Sequence, residues 1–420
     1  MWGDGTASGV LRRVRGMDFA ASPRAQEYLA KAEAFIADRV LPELPGYLEA
    51  AHAEPWSVPP VVEVLKAEAR DAGLWNLFLP DARFGPGLSN TDYAPIAELT
   101  GRAMPLAPEV FNCNAPDTGN AEVLVHYGSP EQRERWLTPL LDGTIRSAFC
   151  MTEPAVASSD ASNMAATAVV EGDEVVINGT KWWSTGIGHP ECRFAVFMGL
   201  TDPEAHKYRR HSMVLVPLDT PGVEIGRMLP VFGYLDEPYG HGEVTFTDVR
   251  LPVDAIIAGP GRGFEIAQGR LGPGRVHHCM RMIGLAEMAL ELACRRATDR
   301  VAFGKPLANL GGNRERIAEA RLAIDQARLL VLRTAWLLDQ HGVAGARNEV
   351  SQIKAVVPRM ACDVIDMAIQ LHGGAGLSDG FPLAEAYAGA RSLRLADGPD
   401  EVHLGMVARA ELHKYSEPPA

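Results

Sequence analysis

The sequence has no Cys-x-x-Cys pair; its six cysteines stand apart at 113, 150, 192, 279, 294 and 362. That scatter supplies neither a zinc site nor a disulfide framework, and it predicts free thiols in a reducing compartment. No apolar run approaches the roughly 20 residues that cross a bilayer, so no membrane span is expected. A basic surplus is also missing. Asp and Glu number 53 against 40 Lys and Arg, a net charge of -13, which argues against nucleic acid or an anionic membrane as the main partner. No repeat of solenoid period appears. Gly259-Pro-Gly261-Arg-Gly263 opens a helix after a loop, not after a strand of a βαβ unit, so a Rossmann reading is rejected. Met1 to Gly16 has no signal-peptide core. Residues 1–20 read as a leader, with a transit peptide at Arg12, Arg13 and Arg15 as the less favoured alternative. The expected location is cytoplasmic, or the mitochondrial matrix in a eukaryote.

What is present is a long chain with a change of texture. At 420 residues, 47% apolar and 22% charged, it should fold as two or three packed domains. From Ser22 to Leu141 the pattern is helical. Ser22-Pro23 is a cap with Pro at the first helical position, Gly73 and Gly101 close later helices, and Ser129-Pro130-Glu-Gln132 starts a short helix that ends before Pro139. From Ile145 short β-like runs follow: Ala165–Val170, Glu174–Asn178, Lys181–Ser184, Arg193–Met198, His211–Pro217, Val223–Arg227 and Glu243–Thr247. Glu-Gly-Asp and Asn-Gly pairs between the first three read as turns, and the spacing suggests a compact barrel or sandwich. After Pro260 come Phe264–Gly269, Val276–Arg300, Ile317–Gln340, Asn348–Leu371 and Leu383–Leu395, a helical bundle. Leu329-Leu-Val-Leu332, apolar on every side, marks its helix as central. The expected domains are 21–144, 145–260 and 261–420, an α+β multidomain fold that is mainly α.

Three stretches carry chemistry. Phe149-Cys-Met151-Thr152-Glu-Pro-Ala-Val-Ala-Ser158 joins the first helices to the strands, and its small residues let backbone approach a flat ligand. Trp183-Ser184-Thr185 places an indole beside two hydroxyls at a strand end, which suits one face of an aromatic cofactor. Near the C-terminus, Arg391-Ser-Leu-Arg-Leu-Ala-Asp397-Gly398-Pro-Asp-Glu401-Val-His403 brings an acid to a helix end that Gly398 and Pro399 break. An acid there either projects into a pocket or caps the next helix. Taken singly, Arg300 reads as a solvated charge and Gly373-Gly374 as a plain helix stop.

Together these stretches resemble the acyl-CoA dehydrogenase family of flavoenzymes. The likeness continues through Arg300-Val-Ala-Phe303-Gly-Lys-Pro and Gln370-Leu-His-Gly373-Gly374, and spans about residue 20 to 415. It implies an N-terminal helical domain, a middle β-barrel domain and a C-terminal four-helix bundle, with FAD at their junction. It also implies flavin contacts from Phe149, Met151, Thr152, Ser158, Trp183, Ser184, Thr185, Arg300, Phe303, Gln370, Gly373, Gly374 and Glu401. Substrate contacts would come from Ser158, Arg275 and Gly398. The flavin diphosphate is usually met by a partner subunit, so a homodimer or homotetramer is expected. An electron-transferring flavoprotein is the implied acceptor.

The family reaction removes the α-proton of an acyl-CoA with a carboxylate while the β-hydrogen leaves as hydride to flavin N5, giving the trans-2-enoyl-CoA. Most relatives place a Glu in a Tyr-Glu-Gly context where this chain has Ala396-Asp397-Gly398. Others take the base from the position of Gly274, which cannot serve, leaving Asp397 as the implied base. Burial beside flavin should raise its pKa. The strings Val156–Asp160, Lys181–Trp183, Gly269–Arg281 and Ala396–His403 look like the subgroup found elsewhere fused behind a kinase-like domain, which prefers long or branched acyl-CoAs. Gly272 and Gly311 depart from the family pattern at a CoA-facing and a flavin-facing position. His277 and His278 read as satisfied helix histidines, and His403 with Glu401 suggests no metal. The alternatives are a flavin oxidase of the nitroalkane oxidase type, revealed by oxygen consumption with nitroethane, and a flavin-free helical scaffold, revealed by a colourless protein.

Overall fold

Residues 18–416 are described by the computed structural model. Most of the expected leader, residues 1–17, lies outside the described residues. The first third holds α1 (Pro23–Phe35), α2 (Leu41–Ala53), α3 (Pro60–Asp71), α4 (Asn90–Gly101), α5 (Leu106–Val110), α6 (Asp117–Tyr127), α7 (Pro130–Gln132) and α8 (Thr138–Leu141). Local chemistry sets the starts. Ser22 Oγ accepts from the Ala25 N–H at 3.1 Å with Pro23 in the first turn, and Ser129 and Gln132 form a reciprocal capping box. The helix expected to end before Pro139 instead passes through a π-turn, Arg133–Leu137, into α8. Pro139 is tolerated because it directly follows the π-turn, where the regular i to i−4 ladder is already interrupted.

The strands are β1 (Arg146–Cys150), β2 (Thr167–Glu171), β3 (Glu174–Thr185), β4 (Cys192–Leu200), β5 (His211–Pro217), β6 (Val223–Met228) and β7 (His241–Pro252). They form one sheet in the order β1-β4-β2-β3-β7-β6, with β5 on β4; β1 and β4 run parallel. The sheet wraps a core of Ala148, Ile177, Phe197, Val214 and Phe246. Glu171-Gly172-Asp173-Glu174 is the expected hairpin turn. Asn178-Gly179 is not a turn: β3 runs straight through it, with the register against β7 slipping between Ile177 and Gly179. A bulge there replaces the turn because the β7 partner continues without a break. Strand β1 had no β-like signature of its own; it is held by parallel pairing to β4, an interaction invisible locally.

The remainder is α9 (Gly263–Asp299), a small hairpin of β8 (Val301–Ala302) and β9 (Lys305–Pro306), then α10 (Asn313–Gly345), α11 (Arg347–His372), α12 (Leu383–Ser392) and α13 (Asp400–Ser416). Two segments expected around Gly272-Pro273-Gly274 are one helix, α9, with Pro273 inside it. This helix, not α10, is central, for it packs on α4, α6, α10 and α11. Leu322 and Leu329 of α10 face outward, 60% and 56% exposed. Between the first helices and the sheet lies a buried ionic cluster. Glu109 of α5 takes the Lys66 ammonium at 2.5 Å, the Arg146 guanidinium and the Tyr239 hydroxyl at 2.6 Å. Burial alone would raise the Glu109 pKa, but Arg146 and Lys66 hold it well below the usual carboxylate range.

Candidate active site

The break after α12 is built by backbone geometry. Asp397 and Gly398 both have positive φ, 57° and 104°, so the chain reverses and α13 starts at Asp400. Asp397 does not cap α13. Its carbonyl accepts from Arg275 Nε at 2.9 Å and lies 3.2 Å from His403 Nε2, while its carboxylate points toward His278 Nε2 at 3.7 Å. A Cβ on Gly398 would stand 2.9 Å from His403 Nε2. Gly398→Ala is therefore expected to cost about 1–2 kcal/mol through left-handed strain and this contact. Urea unfolding measures the loss; an unchanged midpoint would show that the break is not needed.

Asp397 keeps a 19% exposed side chain in a ring of nitrogen groups. Burial pushes its pKa up, yet His278, Arg270, Arg275 and Lys354 together outweigh burial and hold it below the ordinary aspartate value. The raised pKa expected from burial is thus corrected: helix packing places cations where an apolar wall was assumed. His278 itself is pushed down to about 3, mainly by burial and then by Arg281, so at neutral pH it is uncharged. Arg281 Nη2 lies 3.3 Å from His278 Nδ1. A guanidinium only donates, so the imidazole proton is assigned to Nε2, the atom facing Asp397. Lys354 is 1% exposed on α11 and donates to the Leu393 carbonyl at the end of α12.

Of the two adjacent histidines, His278 is satisfied, by Arg281 of its own helix, and His277 is not. His277 is fully buried between the rings of Phe78 and Tyr93, with no hydrogen bond at either nitrogen, and burial lowers its pKa to about 3. Arg270, His278 and Lys354 are the site groups that sequence reasoning missed. The signal was available for Lys354, an ammonium on the apolar stripe that Val350, Ile353, Val357 and Ala361 mark on α11.

The Phe149–Ser158 stretch is half strand and half loop. Phe149 lies one residue before the end of β1, and its ring carries the Arg270 guanidinium of α9 at 3.8 Å. The Thr152 carbonyl accepts from the Trp182 N–H at 3.0 Å, and the Met151 carbonyl from Lys181 Nζ at 2.9 Å. Glu153 is buried, bound by Lys181 Nζ at 2.7 Å and by the N–H groups of Ala165 and Ala166 at 2.9 and 3.0 Å. Ser158 Oγ folds back to accept from the Glu153 N–H at 2.9 Å. Lys181→Met leaves Glu153 buried without its cation. FAD retention should weaken by about tenfold or more, some 1.4 kcal/mol, measured by flavin content after dialysis; full retention would refute the pinning role.

Trp183 has φ 53° and a ring 40% exposed. A bulky residue held left-handed with its aromatic face open fits a flat ring system such as isoalloxazine. Thr185 Oγ1 lies 2.9 Å from His241 Nδ1. Ser184 is fully buried, on the opposite side of the strand from its neighbours, so its hydroxyl offers a ligand no surface.

The other candidates form a separate, exposed group. Arg300, Gln370, Gly373, Gly374 and Glu401 are exposed, and Phe303, at the tip of the β8–β9 hairpin, is 93% exposed. No hydrogen bond or ion pair among the described residues joins them to Asp397 or the Phe149–Ser158 loop.

With this geometry in hand, comparison with known proteins is direct. Residues 22–144, 148–249 and 261–412 match the N-terminal, middle and C-terminal domains of acyl-CoA dehydrogenase. The chain belongs to the acyl-CoA dehydrogenase family, oxidoreductases that use FAD. It is 52% identical to "Probable acyl-CoA dehydrogenase FadE2" of Mycobacterium tuberculosis over 95% of this chain and 98% of that protein. It is 54% identical to "Acyl-CoA dehydrogenase family member 11" of Gallus gallus, covering 98% of this chain but 53% of the relative. The chain therefore spans about half the length of that relative. A solved structure, "Structure of a putative acyl-CoA dehydrogenase from Mycobacterium abscessus", superposes with TM-score 0.91 at 67% identity over 94% of this chain and 100% of its own. Among the described residues, no helix is long and apolar enough to cross a membrane.

Proposed function

We propose that the chain dehydrogenates an acyl-CoA thioester between Cα and Cβ, with Asp397 as the base that takes the α-proton. The observation that carries this reading is the carboxylate at the α12–α13 break, part exposed, beside His278 and held ionised by the positive charges on α9 and α11. Phe149, Met151, Thr152, Ser158, Trp183 and Thr185 would hold the flavin ring. Bound FAD would supply the hydride acceptor for the β-hydrogen.

The residues of this chain do the rest. Asp397 receives the α-proton on a carboxylate oxygen, and the Arg275 contact to its carbonyl keeps the loop that bears it in place. A carboxylate held ionised by cations is a weak base, so the α-proton must be acidified by polarisation of the thioester carbonyl. Arg275 and Gly398 border the same break and are assigned to the substrate side. The high identity to relatives about twice the length of this chain supports the subgroup with longer members, and with it a long or branched acyl group.

Arg300, Phe303, Gln370, Gly373, Gly374 and Glu401 would meet the flavin of a second copy. A 93% exposed Phe303 and a 71% exposed Leu377 beside Gly373-Gly374 are large apolar surfaces suited to burial in a homodimer or homotetramer. An electron-transferring flavoprotein in the cytoplasm or mitochondrial matrix would accept the electrons. The test is anaerobic titration of the yellow protein with short, long and branched acyl-CoAs. Bleaching with a long-wavelength charge-transfer band supports dehydrogenation; oxygen uptake with nitroethane and no bleaching by any acyl-CoA would replace it with an oxidase.

A further inference from the structure

The turn between α12 and α13 is held by contacts to its main chain that arrive from three helices. Inside it, the Leu395 and Ala396 N–H groups both close on the Ser392 carbonyl at 2.9 Å, and the Asp400 N–H closes on the Arg394 carbonyl at 3.2 Å. The Leu393 carbonyl, at the C-terminal end of α12, receives no backbone N–H among the described residues; it accepts from Lys354 Nζ of α11. Four residues on, the Asp397 carbonyl accepts from Arg275 Nε of α9 at 2.9 Å and lies 3.2 Å from His403 Nε2 of α13. Arg394, between them, is occupied by Asp400, Nε to Oδ2 at 2.9 Å. These contacts stop at the backbone. Among the described residues no hydrogen bond reaches the Asp397 carboxylate, whose ion-pair contact, at 3.7 Å, is with His278 Nε2. The turn is fixed through its carbonyls, and the acid it carries is left unbonded.

Lys354 is the unusual member of this set. It is 1% exposed and stands on the stripe of α11 that Val350, Ile353, Val357 and Ala361 make apolar. An ammonium carries three donors and is costly to bury without partners. The bond to Leu393 is its one hydrogen bond among the described residues, and burial pushes its pKa down. A methionine would fill most of that volume without such a cost, so packing does not ask for a lysine. What the ammonium adds is a hold on the last carbonyl of α12, where a cation also suits the negative end of the helix.

We propose that Lys354 is a positioning residue: by fixing the Leu393 carbonyl it sets where α12 stops, and together with Arg275 at the far end of the turn it fixes the direction in which the Asp397 carboxylate points. The inference rests on Asp397 being the base.

The test uses the FAD-loaded protein and anaerobic flavin reduction by an acyl-CoA that bleaches the parent. Lys354→Met should lower the limiting rate about ten- to a hundredfold, the loss expected from a base displaced by about 1 Å. The half-saturating acyl-CoA concentration should stay within about threefold, because the substrate contacts are untouched. The urea midpoint should equal the parent's or exceed it, since an apolar side chain replaces a buried charge. In the Asp397→Asn background the same substitution should take nothing further from the residual rate. A rate loss confined to the protein that keeps Asp397 is the deciding result. A parent-like limiting rate for Lys354→Met overturns the inference, and so does an equal loss in both backgrounds, the mark of a purely structural cap. If Lys354→Met does not retain flavin, Lys354→Gln, whose shorter amide ends before the ammonium position, must show the same confined loss, and an equal loss in both backgrounds overturns the idea again. An Asp397→Asn protein that still bleaches sinks the base itself; an inactive Asp397→Asn beside a parent-like Lys354→Met sinks only Lys354.

Discussion

Asp397→Asn should slow flavin reduction by an acyl-CoA about a hundred- to ten-thousandfold while leaving FAD bound, the range general-base removal produces. The amide is nearly isosteric, so the φ 57° break, the Arg275 contact to the carbonyl and the His403 contact are kept, and what disappears is proton affinity. Because burial is outweighed by His278, Arg270, Arg275 and Lys354, the Asp397 pKa lies below the ordinary aspartate value. A carboxylate with a depressed folded pKa is ionised across neutral pH and is lost as base only when pH falls through that depressed value. Its contribution to the rate should therefore be level from pH 5.5 upward. Stopped-flow bleaching measures both effects. A residual rate within tenfold of the parent, or a steep rise between pH 6 and 8, would place the base elsewhere.

Glu109→Gln is expected to destabilise the protein by about 3–5 kcal/mol, the usual cost of removing one partner from a buried ionic group. Lys66, Glu109 and Arg146 are each 2% exposed, so losing the anion leaves the Lys66 ammonium with only the exposed Glu63, at 3.0 Å, and the Arg146 guanidinium with Asp117, at 3.5 Å. The folded Glu109 pKa lies well below its unfolded value. The stabilisation is thus complete above the unfolded carboxylate range, near pH 4.5, and fades as pH falls through the folded value. Equilibrium urea unfolding at pH 7 and pH 4 checks this: the gap between parent and variant should be wide at pH 7 and narrower at pH 4. A gap below about 1 kcal/mol at pH 7 would mean that the cluster contributes no more than surface pairs do.

Elements with short-range causes were legible in the sequence. The Ser22-Pro23 start, the Ser129–Gln132 box and the Gly172 turn all follow from one residue's hydrogen bonds or φ angle. The order of helices, sheet and bundle followed from hydrophobic period. Misreadings arose where a remote partner decided the outcome. Asn178-Gly179 is a turn signal in isolation but a bulge beside β7, and Leu329–Leu332 reads as central until α9 takes that place.

The same division holds at the site. By itself the sequence determined the family, the break at Gly398-Pro399, the acid before it and the loop motif at Thr152, because each is written in consecutive residues. Tertiary structure alone decided that Arg270, Arg275 and His278 on α9 and Lys354 on α11 act on that acid. These groups lie far apart in the chain and meet only when the helices pack, and electrostatic energy depends on separation in space rather than in sequence. The direction of the Asp397 pKa shift was for that reason opposite to what burial alone suggests.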